Sequence, residues 1–335
     1  MKNTFFKINM FLILIFLAFF TSSCSKNWEH KEKTTKIKLS EVTHSVFYAP
    51  QYVAIGLNYF KDEGLDVELF SSEGSDKTLM AVLSSQADIG LLGSSSVIHA
   101  YNDQGDATIL FAGLTQRDGS FLMGRSPNFK WEDLEGKEVI AGRKGGVPKM
   151  VLEYILAKKG FVSGKNIKLI DNIPFGLIGA AFARGIGDFA TLFEPTASNL
   201  ALSKDFFILK AIGKECEKTA YTCYCCLKSY YQKHPDIIKK FIKAIYKAQD
   251  WVNTHSTPEI VEVIAPFFVD SDKTLITKCV GNYIDANVWC ENPLITKEHL
   301  ETIQEIMIHG NELENKIGFE KIVDQSYAQE ILEIQ

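Results

Sequence analysis

The sequence lacks an excess of positive charge. Its 335 residues contain 36 Lys and Arg against 41 Asp and Glu, a formal net charge of −5. Without residues 1–23, whose removal we predict below, 34 basic residues face 41 acidic ones, a net charge of −7. Lysines also alternate with acids over most of the length, unlike the basic surface that binds nucleic acid. We therefore expect no nucleic-acid partner.

The sequence also lacks the short motifs of common catalytic sites. The glycine-rich loop at Gly145–Gly146 has neither the Gly-Lys-Ser/Thr ending nor the GxGxxG spacing of nucleotide-binding loops. No nucleophile elbow or HExxH context places a nucleophile beside a base. We therefore expect no enzyme activity and no cofactor.

The apolar run near the start is too short to cross a membrane as a helix, which takes about 20 residues. Met10 to Phe20 has only eleven residues; two lysines precede it and Thr21-Ser22-Ser23-Cys24 follows it, an order typical of a bacterial lipoprotein signal. We predict that residues 1–23 are removed, that Cys24 is lipidated, and that residues 24–36 form a tether. Because Thr21 stands where such signals usually carry Leu, an ordinary secretory signal that releases a soluble protein is the alternative.

Six cysteines follow Cys24, an even number that permits disulfides in an exported protein, although their pairing cannot be deduced from the sequence: Cys216, Cys223, Cys225, Cys226, Cys279 and Cys290. The cluster at 223–226 is a weak metal candidate, because an extended strand turns its cysteines to both faces and no second pair has zinc-site spacing. The simpler interpretation is a set of small buried side chains. We expect no metal site.

Length and pattern predict two domains of the α/β class. About 310 mature residues exceed what one core usually serves. Strand-like and helix-like segments alternate from Ile37 to Leu209, which favours largely parallel sheets. Leu65–Leu69 and Val139–Ala141 are predicted strands, and Pro148–Lys159 is a predicted helix. From Pro235 onward the apolar spacing becomes helical.

An internal similarity links the two halves of this α/β region. Gln86 to Leu92 and Gly185 to Leu192 both place a small residue and Asp before a strand that leads into a helix. The two aspartates, Asp88 and Asp188, are 100 positions apart. A repeat of this length predicts two similarly wound halves, although small-Asp-apolar sequences are also common before buried strands by chance.

Two strand-to-helix junctions are candidate binding sites. Ser94 and Ser95 follow one strand, where free backbone N–H groups and hydroxyls face the space beyond the strand end. Gly146 and Val147 occupy the same position in the other half, where glycine lets a ligand approach the main chain. Helix N-termini attract anionic or carbonyl oxygens, and ligands of open α/β sheets lie beyond the carboxyl ends of the strands. Either junction alone is more often only a turn.

Aromatic and acidic side chains stand at two further strand ends. His44, Phe47 and Tyr48 follow the first strand, where rings can stack on a flat ligand, although a lone histidine is more often a satisfied structural residue. Glu194 directly precedes a helix. It can accept hydrogen bonds from a ligand N–H, or it can cap the helix that follows Pro195. The sequence leaves both interpretations of Glu194 open.

These segments resemble the substrate-binding proteins of ABC importers, in the subgroup that binds nitrate, aliphatic sulfonates, taurine and thiamine pyrimidines. The resemblance covers roughly residues 37–315 and rests on six motifs in order: H-S-V-F-Y-A-P-Q-Y-V-A at 44–54, Y-F-K-D-E-G-L-D-V at 59–67, A-D-I-G at 87–90, G-G-V-P at 145–148, F-E-P at 193–195 and K-H-P-D at 233–236. His234 departs from the family's usual Asn. The 223–226 cysteines also lie nearer the next helix than the cysteine run of the related thiamine-pyrimidine enzymes.

The resemblance implies the type II periplasmic-binding-protein fold: two α/β lobes with mainly parallel sheets, joined by two crossover strands, that close on a small molecule. We expect residues 37–118 and 224–335 to form the first lobe and 119–223 the second. The family's ligand-binding positions fall on ten residues of this sequence: His44, Phe47, Tyr48, Ser94, Ser95, Gly146, Val147, Glu194, Tyr221 and Thr222.

The function implied is capture of a solute outside the cytoplasm and its delivery to an ABC permease with its ATPase. The protein would act as a monomer held at the outer face of the cell membrane by the lipid on Cys24. Arg143 and Lys144 favour an anion such as a sulfonate or nitrate, whereas Phe47, Tyr48 and Glu194 favour a flat nitrogen heterocycle such as a thiamine precursor, which we prefer. The alternatives are a thiamine-pyrimidine synthase-like enzyme and a sensor or surface lipoprotein that does not transport.

Overall fold

A computed structural model describes residues 34–105 and 107–333 of the chain. The predicted signal, the lipidation site Cys24 and the tether up to residue 33 lie outside the described residues. None of the described helices is both long enough and apolar enough to span a bilayer.

Two five-stranded sheets organise the described chain. The first has the order β2-β1-β3-β10-β4, with β1 (Thr35–Glu41), β2 (Leu65–Ser71), β3 (Ile89–Gly93), β4 (Thr108–Thr115) and β10 (Thr222–Leu227). The second has the order β7-β6-β8-β5-β9, with β5 (Phe121–Gly124), β6 (Glu138–Ile140), β7 (Lys168–Ile170), β8 (Phe189–Leu192) and β9 (Phe207–Ala211). In each sheet the first three strands are parallel and the fourth is antiparallel to its neighbours. The predicted α/β class and the two similarly wound halves are confirmed.

The repeated aspartates make the same connection in both sheets. Asp88 Oδ2 accepts a hydrogen bond from Lys38 N at 2.8 Å, and Asp88 N donates to Lys38 O at 2.9 Å. Asp188 Oδ2 accepts from Glu138 N at 2.9 Å, and Asp188 N donates to Glu138 O at 2.8 Å. Each aspartate therefore ties the start of the third strand in the order of its sheet to the second strand, β3 to β1 and β8 to β6, and this shared role explains the similarity in sequence.

Helices cover the faces of both sheets. Those between strands are α1 (Ala49–Gly56), α2 (Tyr59–Asp62), α3 (Ser75–Leu83), α4 (Ser94–Gln104), α5 (Val147–Lys158), α6 (Ile178–Ala183) and α7 (Thr196–Ala201). Those after β10 are α8 (Lys228–Lys233), α9 (Pro235–Thr254), α10 (Thr257–Ile264), α11 (Lys273–Ala286), α12 (Lys297–His309), α13 (Phe319–Ile322) and α14 (Ser326–Glu333). Helix α9 buries the apolar stripe seen in the sequence, including Ile238, Phe241 and Ile245, and packs against α1. Short 3₁₀ turns occupy 46–48, 131–134, 175–177, 212–215 and 265–267.

The chain passes between the sheets twice, at residues 116–120 and 212–221, which we call the first and second crossover. β1 begins two residues before the predicted start of the first lobe, and the predicted boundary between 223 and 224 falls inside β10. Pairing of Thr222 and Cys223 with β3 and β4 assigns that whole strand to the first sheet. We therefore propose residues 35–118 and 222–333 as the first lobe and 119–221 as the second.

Candidate functional site

The two crossovers are fastened to each other by a buried carboxylate. Asp118 Oδ2 accepts a hydrogen bond from the Tyr221 hydroxyl at 2.6 Å, and Asp118 Oδ1 accepts one from Ser120 N at 2.8 Å. Burial raises the pKa of Asp118, and these hydrogen bonds oppose that rise. Glycine allows the close approach: a Cβ on Gly213 would lie 2.3 Å from the Asp118 carbonyl oxygen. The crossovers thus form one floor between the lobes.

Aromatic rings from both lobes meet above this floor. The Phe47 ring lies 5.5 Å from Tyr48, 5.2 Å from Tyr283 of α11, 5.8 Å from Phe193 of the second lobe and 5.9 Å from Tyr221, measured between ring centroids. We call these five rings the aromatic cluster. Phe47 is only 3% exposed, and its carbonyl accepts a hydrogen bond from Trp289 Nε1 at 2.9 Å. Three of the predicted site residues, Phe47, Tyr48 and Tyr221, are therefore brought together.

The Tyr48 side chain is 4% exposed, and none of the hydrogen bonds among the described residues uses its hydroxyl. Burial raises the pKa of Tyr48 far above its usual value, so the hydroxyl keeps its proton and can donate as well as accept. The cluster thus combines apolar ring faces with a polar group that the protein itself does not engage, as ligand sites commonly do.

The serines at the start of α4 have different contacts. Ser94 N donates to Tyr221 O at 3.1 Å, and the Ser94 hydroxyl donates to Ala220 O, so this residue anchors the second crossover. Ser95 is also buried, but its hydroxyl has no hydrogen-bond partner among the described residues. No side chain caps α4, whose N-cap is Gly93. Ser95 therefore stays a predicted ligand contact, whereas the contacts of Ser94 are structural.

The corresponding junction of the second lobe is more open. Gly146 is the N-cap of α5 without a side-chain cap, and Val147 is the first helical residue, so both keep the main-chain character predicted for a ligand contact. Gly142 and Gly145 have φ of +100° and +72°, values that glycine adopts without strain. Arg143 and Lys144 are exposed.

Glu194 is bound by the protein on both carboxylate oxygens. Ser198 N and Oγ donate to it at 2.9 and 2.8 Å, which caps α7. Asn282 Nδ2, on α11 of the first lobe, donates at 2.6 Å, and Cys279 Sγ lies 3.6 Å away. Glu194 N in turn donates to the Tyr283 hydroxyl at 3.2 Å. These contacts favour the capping interpretation and make Glu194 a link between the lobes.

His44 and Thr222 are likewise engaged by neighbouring groups. His44 Nδ1 lies 3.1 Å from Glu41 Oε1, and His44 Nε2 lies 2.8 Å from Phe267 O. The hydrogen bond to Glu41 raises the pKa of His44. The Thr222 and Thr115 hydroxyls bond to each other. A role for either residue in ligand binding stays a prediction from the sequence, with no support from these contacts.

The six described cysteines are free thiols. Cys223, Cys225 and Cys226 are buried within β10, where the sheet is covered on both faces. Burial raises the pKa of Cys225 to about 12, so its thiol is neither a good nucleophile nor a ready metal ligand. Among the described residues, no three His, Cys, Asp or Glu side chains are grouped to hold a metal ion.

Sequence and structure comparisons place the chain among known proteins. The model of the NMT1/THI5-like family matches residues 46–258. YtlA of Bacillus subtilis, whose name describes it as a binding protein, is 40% identical over 321 residues, 95% of each chain. THI13 of Saccharomyces cerevisiae, a 4-amino-5-hydroxymethyl-2-methylpyrimidine phosphate synthase, is 24% identical over 220 residues, 62% of this chain and 63% of its own.

The architecture has counterparts among solved structures. The periplasmic aliphatic sulphonate binding protein SsuA of Escherichia coli superimposes with a TM-score of 0.68 at 15% identity, covering 88% of this chain and 99% of SsuA. This likeness shows that the two sheets and their crossovers form the periplasmic-binding-protein fold. Since the family model covers more than half of the chain and a relative matches it almost from end to end, the protein belongs to the NMT1/THI5-like family.

Proposed function

We propose that the protein is a solute-binding protein that captures a small molecule between its lobes outside the cytoplasm and delivers it to an ABC importer. One observation carries the proposal: Phe47 of the first lobe, Phe193 of the second and Tyr221 of the second crossover meet in one aromatic cluster. A site built from both lobes is completed only when they approach each other, so solute binding and closure are linked. The 40% identity to a relative named as a binding protein supports the same role.

The solute that best fits this site is a flat, uncharged nitrogen heterocycle such as a thiamine precursor. Ring faces of Phe47, Tyr48 and Tyr221 offer stacking surfaces, and the Tyr48 and Ser95 hydroxyls offer hydrogen bonds. The side chains of Arg143 and Lys144, which favoured an anion in the sequence, are exposed to solvent. Glu194 no longer supports the heterocycle as a hydrogen-bond acceptor, because protein donors occupy both of its oxygens.

Thermal unfolding with a solute panel tests the proposal. The panel contains 4-amino-5-hydroxymethyl-2-methylpyrimidine, thiamine, taurine, an alkanesulfonate, nitrate and a carboxylate. A solute that binds only the folded protein stabilises it by about 2.7 kcal/mol at a hundredfold excess over Kd. We expect the pyrimidine to raise the melting temperature most. Native mass spectrometry of the freshly purified protein also detects any solute that copurifies with it. If no solute copurifies and no member of the panel raises the melting temperature, the protein is not a solute receptor.

The export and anchoring steps are separate proposals, because Cys24 lies outside the described residues. We propose that Cys24 carries the lipid that retains the protein at the outer face of the membrane. Phase partitioning in Triton X-114 separates the two forms of signal: wild type should enter the detergent phase and Cys24→Ala the aqueous phase. Wild type in the aqueous phase indicates the secretory alternative.

The enzyme alternative is favoured only by the distant similarity to the pyrimidine phosphate synthase THI13. That alternative requires a cytoplasmic chain with a lysine-bound cofactor. Finding the mature N-terminus at Cys24 by mass spectrometry would eliminate it. A sensor lipoprotein would bind the same solute, but deletion of its gene would leave uptake of that solute unchanged.

A further inference from the structure

The second crossover contains a buried hydroxyl without a partner. Among the described residues, three side-chain polar atoms that are fully shielded from solvent have no hydrogen bond: Arg117 Nε, Thr219 Oγ1 and Gln249 Oε1. Arg117 and Gln249 use their other side-chain atoms, since Arg117 Nη1 donates to Gly213 O and Gln249 Nε2 donates to Gly113 O. Thr219 has only the one polar side-chain atom, and the residue is 2% exposed. Leaving such a group unpaired is costly, which makes Thr219 the exception that needs an explanation.

Main-chain hydrogen bonds show which way Thr219 faces. Thr219 N donates to Gln116 O at 2.9 Å and Tyr221 N donates to Thr115 O at 3.2 Å, both toward the first crossover and the strand that leads into it. Ala220 N points the other way and donates to His299 O at 3.0 Å. This alternation is that of an extended strand, in which residues two apart share a face. The side chains of Thr219 and Tyr221 therefore lie on the same face of the crossover.

That face is the floor of the candidate site. The Tyr221 ring packs against Phe47, and its hydroxyl donates to Asp118 of the first crossover. Thr219 shares this floor, and its hydroxyl differs from that of Tyr221 in having no acceptor. This difference is invisible in the sequence, because Thr219, Tyr221 and Thr222 all carry hydroxyls within four positions.

We propose that Thr219 Oγ1 is a hydrogen-bonding contact for the solute, an inference that rests on the solute-binding function. A hydroxyl can both donate and accept, so it suits a ring nitrogen or an exocyclic amino group on a heterocycle that stacks in the aromatic cluster. The group stays unpaired in the protein alone and becomes paired when the solute enters. Thr219 thereby selects solutes with a polar edge over apolar rings of the same shape.

Two substitutions separate this role from a structural one. Thr219→Val keeps the shape and removes the hydroxyl, whereas Thr219→Ser keeps the hydroxyl. The matched control is Thr222→Val, because Thr222 is also buried on the same segment but its hydroxyl is paired with that of Thr115. Without solute, we expect Thr219→Val to melt at or above the wild-type temperature and Thr222→Val to melt below it, since only the control loses a hydrogen bond.

Isothermal titration then measures binding of 4-amino-5-hydroxymethyl-2-methylpyrimidine, or of taurine if the pyrimidine does not bind wild type. Because Thr219→Val loses one neutral hydrogen bond to the solute, its Kd should be about 2- to 13-fold higher than that of wild type. The Kd of Thr219→Ser should be close to that of wild type. Equal affinities of wild type and Thr219→Val would overturn the inference and leave the solute-binding function standing. A melting temperature of Thr219→Val as low as that of the control would also overturn it, because the hydroxyl would then have a structural partner. A wild type that binds no solute of the full panel removes both proposals.

Discussion

Substitution of Gly119 tests whether the crossovers and the aromatic cluster are packed as a single unit. A Cβ on Gly119 would lie 2.5, 2.7 and 2.9 Å from three carbons of the Phe47 ring. Ordinary contact begins at 3.4 Å, so the ring would have to retreat by roughly 0.9 Å. Rings on several sides and the hydrogen bond from Trp289 to the Phe47 carbonyl hold it in place. Gly119→Ala should therefore be destabilising.

Overpacking of this kind typically costs about 1–3 kcal/mol. For a chain of this size, that corresponds to a loss of about 2–5 °C in melting temperature. The measurement is urea or thermal unfolding, with Gly281→Ala as the matched control. Gly281 lies inside α11, and a Cβ added there would meet no atom within 4 Å, so alanine should stabilise by up to about 1 kcal/mol.

A double substitution makes the Gly119 test specific. In Gly119→Ala/Phe47→Leu the smaller side chain relieves the clash, so the double variant should lose less stability than the two single variants together. The reasoning is refuted if Gly119→Ala is as stable as wild type, or if the two effects simply add. Either outcome would mean that the ring and the first crossover are not in the contact described.

Two further predictions concern the ionisable groups. Because the hydrogen bond to Glu41 raises the folded-state pKa of His44 above its unfolded value near 6.5, its contribution to stability is complete below that value and disappears as pH rises through the folded-state pKa. The stability difference between wild type and His44→Gln in urea should therefore be larger at pH 5.5 than at pH 8.5, and a constant difference would contradict the pairing. Glu194→Gln replaces an acceptor of several donors and should cost about 1–3 kcal/mol of unfolding free energy. Glu194→Gln/Asn282→Asp restores a donor and acceptor pair across the lobes and should recover part of that loss, whereas no recovery would argue against the Asn282 contact.

The α/β class and the two similarly wound halves were predictable because alternating apolar patterns and aspartates directly before strands are local signals. The predicted strand at 65–69 lies within β2, and the predicted helix at 148–159 matches α5 within one residue at each end. The boundary between the lobes was harder to predict from the sequence. Cys223 and Tyr224 look like any buried strand, and only their pairing with β3 and β4 shows which sheet they join.

The candidate site was predictable by position but not by contact. The sequence placed Phe47 and Tyr48 after the first strand, the resemblance added Tyr221, and the structure brings the three rings together. The sequence could not decide whether Glu194 accepts hydrogen bonds from a ligand or caps a helix, because Asn282, the donor that decides it, lies 88 positions away. Phe193 and Tyr283 were missed as cluster members for the same reason, since no local pattern reports a contact between the lobes.

Charge balance in the cluster predicts discrimination between neutral and anionic solutes. The contacts of Glu194 come from Ser198, Asn282 and Cys279, which are neutral donors that leave its negative charge uncompensated. Two unit charges about 6 Å apart at an effective dielectric of about 20 interact with about 3 kcal/mol. An anion that enters the cluster therefore meets repulsion, which the N-termini of α4 and α5 offset by about 0.3–1 kcal/mol each. We expect 4-amino-5-hydroxymethyl-2-methylpyrimidine to bind at least about tenfold more tightly than its phosphate ester in calorimetry.

Glu194→Gln should reduce the ratio of the affinity for the pyrimidine to that for its phosphate ester, because the substitution removes the negative charge and keeps the size of the side chain. The matched control is Asp205→Asn, which removes a negative charge from an exposed turn of the second lobe and should leave the ratio of the two affinities unchanged. If both variants narrow the ratio equally, the discrimination comes from the overall charge of the protein and Glu194 has no special part in it. Tighter binding of the phosphate ester would show that the solute is recognised as an anion at the helix ends. A ratio unaffected by Glu194→Gln would show that Glu194 does not set the discrimination.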